Sequence, residues 1–228
     1  MKSVGNDIIA LSAIDKERSN RQQFYSKILS VSEQQLFKEQ IFRELPFEHF
    51  VWLLWSIKES VYKCLKRSVN DLIFSPTKIV VQQIDLSPGA ETITFEGTQL
   101  ENKGFDDAFY KGVIFFDNRA LYFRSKIFTE LITTVVAEDD NFDNIFWGVQ
   151  KIEQTDYAHQ SAAVRAFVLG RLKVLIPDND LTIEKTPVGY PVILQGSERL
   201  DIAVSLAHHE QFVAYALVGS VPLRPNML

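Results

Sequence analysis

Between Pro46 and Arg67 the chain reads FEHFVWLLWSIKESVYKCLKR, with neither glycine nor a further proline. No other stretch restricts the fold as strongly. Proline suits the first turn of a helix, and Phe50, Leu53, Leu54, Ile57, Val61 and Leu65 follow at the i, i+3, i+4 spacing of one helical face. The spacing predicts a long helix whose apolar stripe must be buried. Trp52, Trp55, Glu59 and Lys63 fall on the opposite side. Two tryptophans do not belong on a merely solvated face, so that side too is expected to lie under cover.

Around this helix the hydrophobic period changes. VGNDIIAL near the start reads as a strand, and the polar stretch DKERSNRQQFYSK follows it. Ser32 before a Glu-rich first turn suits a helix start in VSEQQLFKEQIF. After the long helix, SPTKIVVQQI, ETITFEG, KGVIFFD, ALYFRSKI and LITTVVAE read as strands, with turns at SPGA, NKG and DN. The acidic run AEDDNFDN is the expected boundary. Beyond it come the strand IFWGVQKI, a helix SAAVRAFVLGRLKVL closed by Pro177, the strands DLTIEKT and YPVIL, and a hairpin-like pair IAVSLAH and FVAYALV. This order predicts an α+β fold of two pseudo-symmetric lobes, residues 1–140 and 141–228, each a small antiparallel sheet packed with helices.

Composition narrows the function classes. The 228 residues carry a formal net charge of -5 and a pI near 5.4, which argues against nucleic acid as a partner, since phosphate backbones select clustered Lys and Arg. No apolar run approaches the roughly 20 residues of a membrane span. The start, MKSVGNDIIALS, is too short and too quickly acidic for a signal peptide. A single cysteine, Cys64, excludes an internal disulfide framework and suits a reducing setting. A cytoplasmic protein is the expectation. Cys64 lies on the apolar stripe and reads as core.

Three stretches carry the residue types of a reaction site: GNDII with Asp7; WSIKESVYK with Trp55, Lys58, Glu59 and Lys63; and GYPVIL with IAVSLAHH, holding Gly189, Pro191, Ser205 and His208. In this order they resemble the 4'-phosphopantetheinyl transferases, which carry a Gly-x-Asp strand, a Trp-x-x-Lys-Glu-x-x-x-Lys helix, a Gly-Lys-Pro turn and a Ser-x-Ser-His strand. The helix motif is the most specific and matches at all four marked positions. FYSKILSVSEQQLF also looks like the family's stretch between the Asp strand and the helix. The resemblance runs from about Val4 to Lys66 and from about Ser161 to Val218. The length suggests the two-lobe type, while the motif order is that of the small single-lobe enzymes, as if the halves were exchanged.

The resemblance implies Mg²⁺-dependent transfer of the phosphopantetheine arm of coenzyme A to a serine of an apo carrier protein, releasing adenosine 3',5'-bisphosphate. Asp7 and Glu59 are then the metal carboxylates, consistent with the few protein ligands Mg²⁺ takes. Lys63, one turn beyond Glu59, reaches the same phosphates. Glu59, or a water it holds, is the candidate general base. His208 matches the histidine near the 3'-phosphate or ribose, with Ser205, Lys185 and Arg165 as further coenzyme A contacts. The tryptophan side is expected beneath the other lobe, with the charged pair at the mouth of a cleft.

The chain departs from the family at three places. Ile9 stands where two-lobe relatives carry a second acid, Tyr190 replaces the lysine of Gly-Lys-Pro, and Ala207 replaces a serine. Lys185, four residues before Gly189, matches a basic position in some relatives. Plainer readings stand beside the functional ones. Asp7 alone reads as a turn-forming residue beside a strand, Glu59 and Lys63 as a solvated pair, and Lys185 and Arg165 as surface charge. His208 and His209 are adjacent and point to opposite strand faces, so one is expected at the surface. Lys16, Arg18, Arg21 and Lys27 form either a carrier-docking patch or a charged loop. At the level of the whole chain, the alternatives to the enzyme are a non-catalytic coenzyme A- or carrier-binding module and an acidic interaction domain.

Overall fold

In the computed structural model of the chain, residues 2–87, 93–106, 109–176 and 180–219 are described. Strand β1 (Val4–Ala10) is followed by short helices α1 (Lys16–Ser19), α2 (Gln22–Tyr25) and α3 (Val31–Leu36), and then by the long α4 (Phe47–Leu65). Strands β2 (Val80–Leu86), β3 (Gln99–Lys103), β4 (Tyr110–Phe116), β5 (Arg119–Ile127), β6 (Leu131–Ala137) and β7 (Phe146–Lys151) lead to α5 (Tyr157–Leu175). The chain continues with β8 (Leu181–Lys185), β9 (Pro191–Gln195), β10 (Glu198–Arg199), β11 (Ile202–His209) and β12 (Phe212–Gly219). The fold is α+β, built from antiparallel sheets packed with helices, as the sequence pattern predicts.

The sheets run β1-β6-β5-β4-β2, β11-β12-β7-β3 and β10-β9-β8. The apolar stripe of α4 is fully buried against the first sheet, together with Ile9, Phe123 and Val136. The opposite face of that sheet (Val4, Ile8, Ala10, Val135) packs on Trp147, Ala207, Phe212 and Ala214 of the second. Val164, Val168 and Leu172 of α5 cover the far side of the second sheet. The order of layers is therefore helix, sheet, sheet, helix. Alternating side chains on β1 and β6 serve two cores at once, which is why both strands are buried along their whole length.

Several expectations change in detail. Ser30, not Ser32, caps α3, in a reciprocal capping box with Glu33. ETITFEG forms no strand among the described residues; Ile93 makes a single bridge to Phe128. The NKG segment belongs instead to the end of β3 and to Gly104, whose φ is +72°. β3 lies before residue 140 yet pairs with β7, so the second sheet draws a strand across the expected boundary. DN is the tight turn expected, with positive φ at both Asp117 and Asn118. Pro177 and residues 88–90 of the SPGA turn lie outside the described residues.

Candidate active site

Gly5 sets the site. A Cβ placed there would lie 1.9 Å from the carbonyl oxygen of Ser60 and 2.6 Å from the amide nitrogen of Cys64. No other residue permits β1 to pass so close to the α4 backbone. Asp7, two residues on, points to the same face and so meets the last turns of α4. Its Oδ1 accepts from Lys63 Nζ at 3.0 Å, and Glu59 Oε1 lies 3.2 Å from the same ammonium. Glu59 is held from its other side, where Trp55 Nε1 donates to Oε2 at 3.0 Å. Two carboxylates more than fifty positions apart thus converge on one lysine.

Asp7 is buried, and its second oxygen, Oδ2, has no hydrogen-bond partner. Burial raises its pKa to about 7; the Lys63 ammonium opposes this, and the Glu59 carboxylate adds to it. Burial alone would lower the pKa of Lys63, but Asp7 and Glu59 outweigh it and hold the ammonium above its ordinary value. A desolvated carboxylate with an orphaned oxygen suits a hard cation, so Asp7 and Glu59 fit as two oxygen donors. Among the described residues no group of three or more Asp, Glu, His or Cys is arranged to hold a metal ion. Ile9 is buried in the α4 core and offers nothing to a metal.

The second half contributes through β11. Ser205 Oγ accepts the Asn6 amide at 2.9 Å, and His209 Nδ1 accepts the Ala10 amide at 2.8 Å. The edge strands β1 and β11 are thereby joined by side chains where no ladder exists. His209 is a seam residue and not the surface histidine expected. His208 projects the other way, edge-on to Tyr157, with ring centroids 5.5 Å apart. Burial, then Lys63, His209 and Arg165, lower its pKa, while Glu59 opposes them. His208, Arg165, Lys63 and Glu59 therefore share one electrostatic neighbourhood. Arg165 is itself tied to the carbonyl and hydroxyl of Ser161. Ala207 faces the apolar core between the sheets, where no ligand contact is made.

A cleft of about 360 Å³ opens beside Lys63, bounded by Lys185, the Gly189–Pro191 turn and Ser205. Three of the expected contacts, Lys63, Lys185 and Ser205, lie on its wall, while His208 is not among the described residues that line it. Arg67 also lines it and is invisible to motif reading, because it falls past the last motif lysine. Lys58, in contrast, leaves the site. Its ammonium is fully buried, 2.7 Å from Glu33 Oε2 and 2.6 Å from the Ile28 carbonyl.

The tryptophans are not covered by the other lobe. Trp52 packs on Phe24 and donates to Ser19, and Trp55 packs on Phe74. Segments of the first half cover both. The basic patch is largely committed as well: Lys16 lies 3.8 Å from Glu48, Arg21 pairs with Glu17, and Arg18 stacks on Phe24.

Residues 3–111, which hold Asp7, Glu59 and Lys63, match the family model of the 4'-phosphopantetheinyl transferase superfamily. Over this stretch, a little under half of the chain, the protein is similar to that superfamily. The similarity points in general to phosphopantetheinyl transfer, a chemistry whose partners in that superfamily are coenzyme A and carrier proteins. The superfamily's match ends before α5 and β11, so His208, Ser205 and Arg165 rest on geometry and motif alone. No curated protein and no solved structure matches the chain. No described helix is long and apolar enough to cross a membrane.

Proposed function

We propose that this protein transfers the 4'-phosphopantetheine group of coenzyme A to a serine of an apo carrier protein, with Mg²⁺ held by Asp7 and Glu59. The observation that carries this reading is the convergence of both carboxylates on Lys63 Nζ, at 3.0 and 3.2 Å. Such a cluster has little structural use, because burying Asp7 is costly. It suits a diphosphate and its cation.

When bound, Mg²⁺ neutralises charge on the diphosphate oxygens as the P–O bond breaks. The chain's own groups do the rest. With Asp7 and Glu59 holding the cation, Lys63 would bind a phosphate oxygen as a point charge. Glu59, oriented by Trp55 and Lys63, accepts the proton of the carrier serine directly or through a water. The serine oxygen attacks the phosphorus that carries the pantetheine arm. Adenosine 3',5'-bisphosphate departs with the bridging oxygen. His208 and Arg165 face the nucleotide from β11 and α5, and Ser205 and Lys185 from the cleft wall.

The test is to mix the protein with apo carrier, coenzyme A and Mg²⁺ and weigh the carrier by mass spectrometry. The expected result is the phosphopantetheine adduct, with Glu59→Ala and Asp7→Ala slowing its formation by about 10²–10⁴-fold. Undiminished rates in folded Asp7→Ala and Glu59→Ala proteins overturn the assignment. Binding of coenzyme A without any adduct would support the non-catalytic module instead.

A further inference from the structure

The cleft beside Lys63 holds more positive charge than the transfer step uses. Lys63, Lys66, Arg67 and Lys185 line it, and no Asp or Glu is among the described residues that do. Lys63 is balanced by its two carboxylates. Lys66 Nζ donates to the carbonyls of Asn70 and Leu72 at 2.5 and 3.1 Å. Arg67 is held differently. Its Nη2 donates to the Pro191 carbonyl at 3.0 Å and to that of Val204. Its guanidinium lies over the Tyr190 ring, 5.2 Å from the centroid. These contacts fix the plane of the group. Nη1 is nevertheless buried and has no hydrogen-bond partner.

An orphaned donor on a buried cation is unfavourable unless a ligand supplies the acceptor. The surrounding field points the same way, since burial and then the neighbouring Arg199 lower the pKa of Arg67 to about 10. A bound anion would relieve both. The side chain also sits where the family motif leaves a gap. Tyr190 replaces the lysine of the Gly-Lys-Pro turn, and its ring is the platform on which Arg67 rests. Arg67 starts four positions beyond Lys63, about 6 Å further along the helix direction. Two anion-binding points one turn apart can be spanned by two phosphate groups of a single nucleotide.

We infer that Arg67 binds a phosphomonoester of a nucleotide lodged in this cleft, standing in from the end of α4 for the lysine absent between Gly189 and Pro191. The inference rests on the coenzyme A reading for the identity of the ligand, whose 3'-phosphate is the monoester concerned. A guanidinium suits the task because its planar fork places donors on phosphate oxygens in a fixed geometry. Lys185, on the same wall, supplies a mobile point charge and serves as the control.

The test compares coenzyme A with 3'-dephospho-coenzyme A by calorimetry in chelator, for the parent, Arg67→Gln, Arg67→Lys and Lys185→Gln, with thermal melting to confirm folding. The parent is expected to prefer coenzyme A by about 10- to 100-fold. Arg67→Gln should lose that preference with its affinity for the dephospho form unchanged, and Arg67→Lys should keep part of it. Because Arg67 also ties the helix to β9 and β11, Tyr190→Leu provides a second variant. It removes the platform, leaves those hydrogen bonds, and should weaken the preference several-fold. A parent that does not distinguish the two ligands, or a folded Arg67→Gln that still does, overturns the inference. So does loss of the preference in Lys185→Gln alone. Adduct formation with an unchanged preference in Arg67→Gln would remove Arg67 and leave the transferase reading standing. An Arg67-dependent preference without any adduct would do the reverse.

Discussion

Asp7 is a carboxylate held against its own solvation. Its burial, opposed by the Lys63 ammonium and reinforced by the Glu59 carboxylate, raises the pKa to about 7, well above that of an unfolded aspartate. The folded state therefore binds the proton more tightly than the unfolded state does. Between the two pKa values stability falls as pH rises, and the full penalty is present above about pH 7. In chelator at pH 8, Asp7→Asn should be more stable than the parent by about 1–3 kcal/mol, and the gap should close as pH is lowered towards 4. Urea denaturation across that range measures it. A destabilised Asp7→Asn at pH 8 would mean that the Lys63 pairing outweighs the desolvation. The residue was legible because Gly-x-Asp and Trp-x-x-Lys-Glu-x-x-x-Lys are spacings with chemical meaning. Arg67 was not, since only the folded chain brings it to the Pro191 and Val204 carbonyls, more than a hundred positions away.

At the scale of elements, α4 is fastened on several sides, and the sequence shows the apolar one best. Every residue of the predicted stripe is buried. The polar fastening is harder to read. Glu33 Oε2 receives Lys58 Nζ and the Ser30 amide, while Oε1 receives the Val81 amide at 2.9 Å. One carboxylate thus joins α3, α4 and β2, and it looks in sequence like any Glu of a first turn. Lys58→Met should cost about 3–5 kcal/mol, because it leaves Glu33 charged and buried without its cation. Adding Glu33→Gln should return a good part of that loss, since the uncompensated charge is gone. Urea midpoints of both variants decide it; a double variant no better than Lys58→Met would show that packing governs the site. β3 was illegible for a related reason. Gln99–Lys103 offers one apolar residue, Leu100, so no alternation marks it, and its strand character comes from backbone pairing with β7.

At the scale of the molecule, the site depends on how the two large sheets meet. β1 carries Asp7 towards α4 and uses its other edge to hold β11 through Ser205 and His209. Loosening that seam moves Asp7 relative to His208 without touching either. His209 can accept the Ala10 amide only while Nδ1 is unprotonated, and burial, the first of its influences, lowers its pKa from the ordinary value near 6.5. Its contribution is therefore complete above pH 6.5 and is lost as pH falls through the lower folded value. His209→Ala should cost about 1 kcal/mol at pH 8, and the difference from the parent should shrink towards pH 5. Hydrogen exchange gives the local readout: the Ala10 amide should lose protection in His209→Ala at pH 8, while the strands of the outer β4–β5 hairpin keep theirs. An Ala10 amide equally protected in both proteins would mean that the apolar core between the sheets closes the seam unaided, leaving the histidine without a role in placing the aspartate.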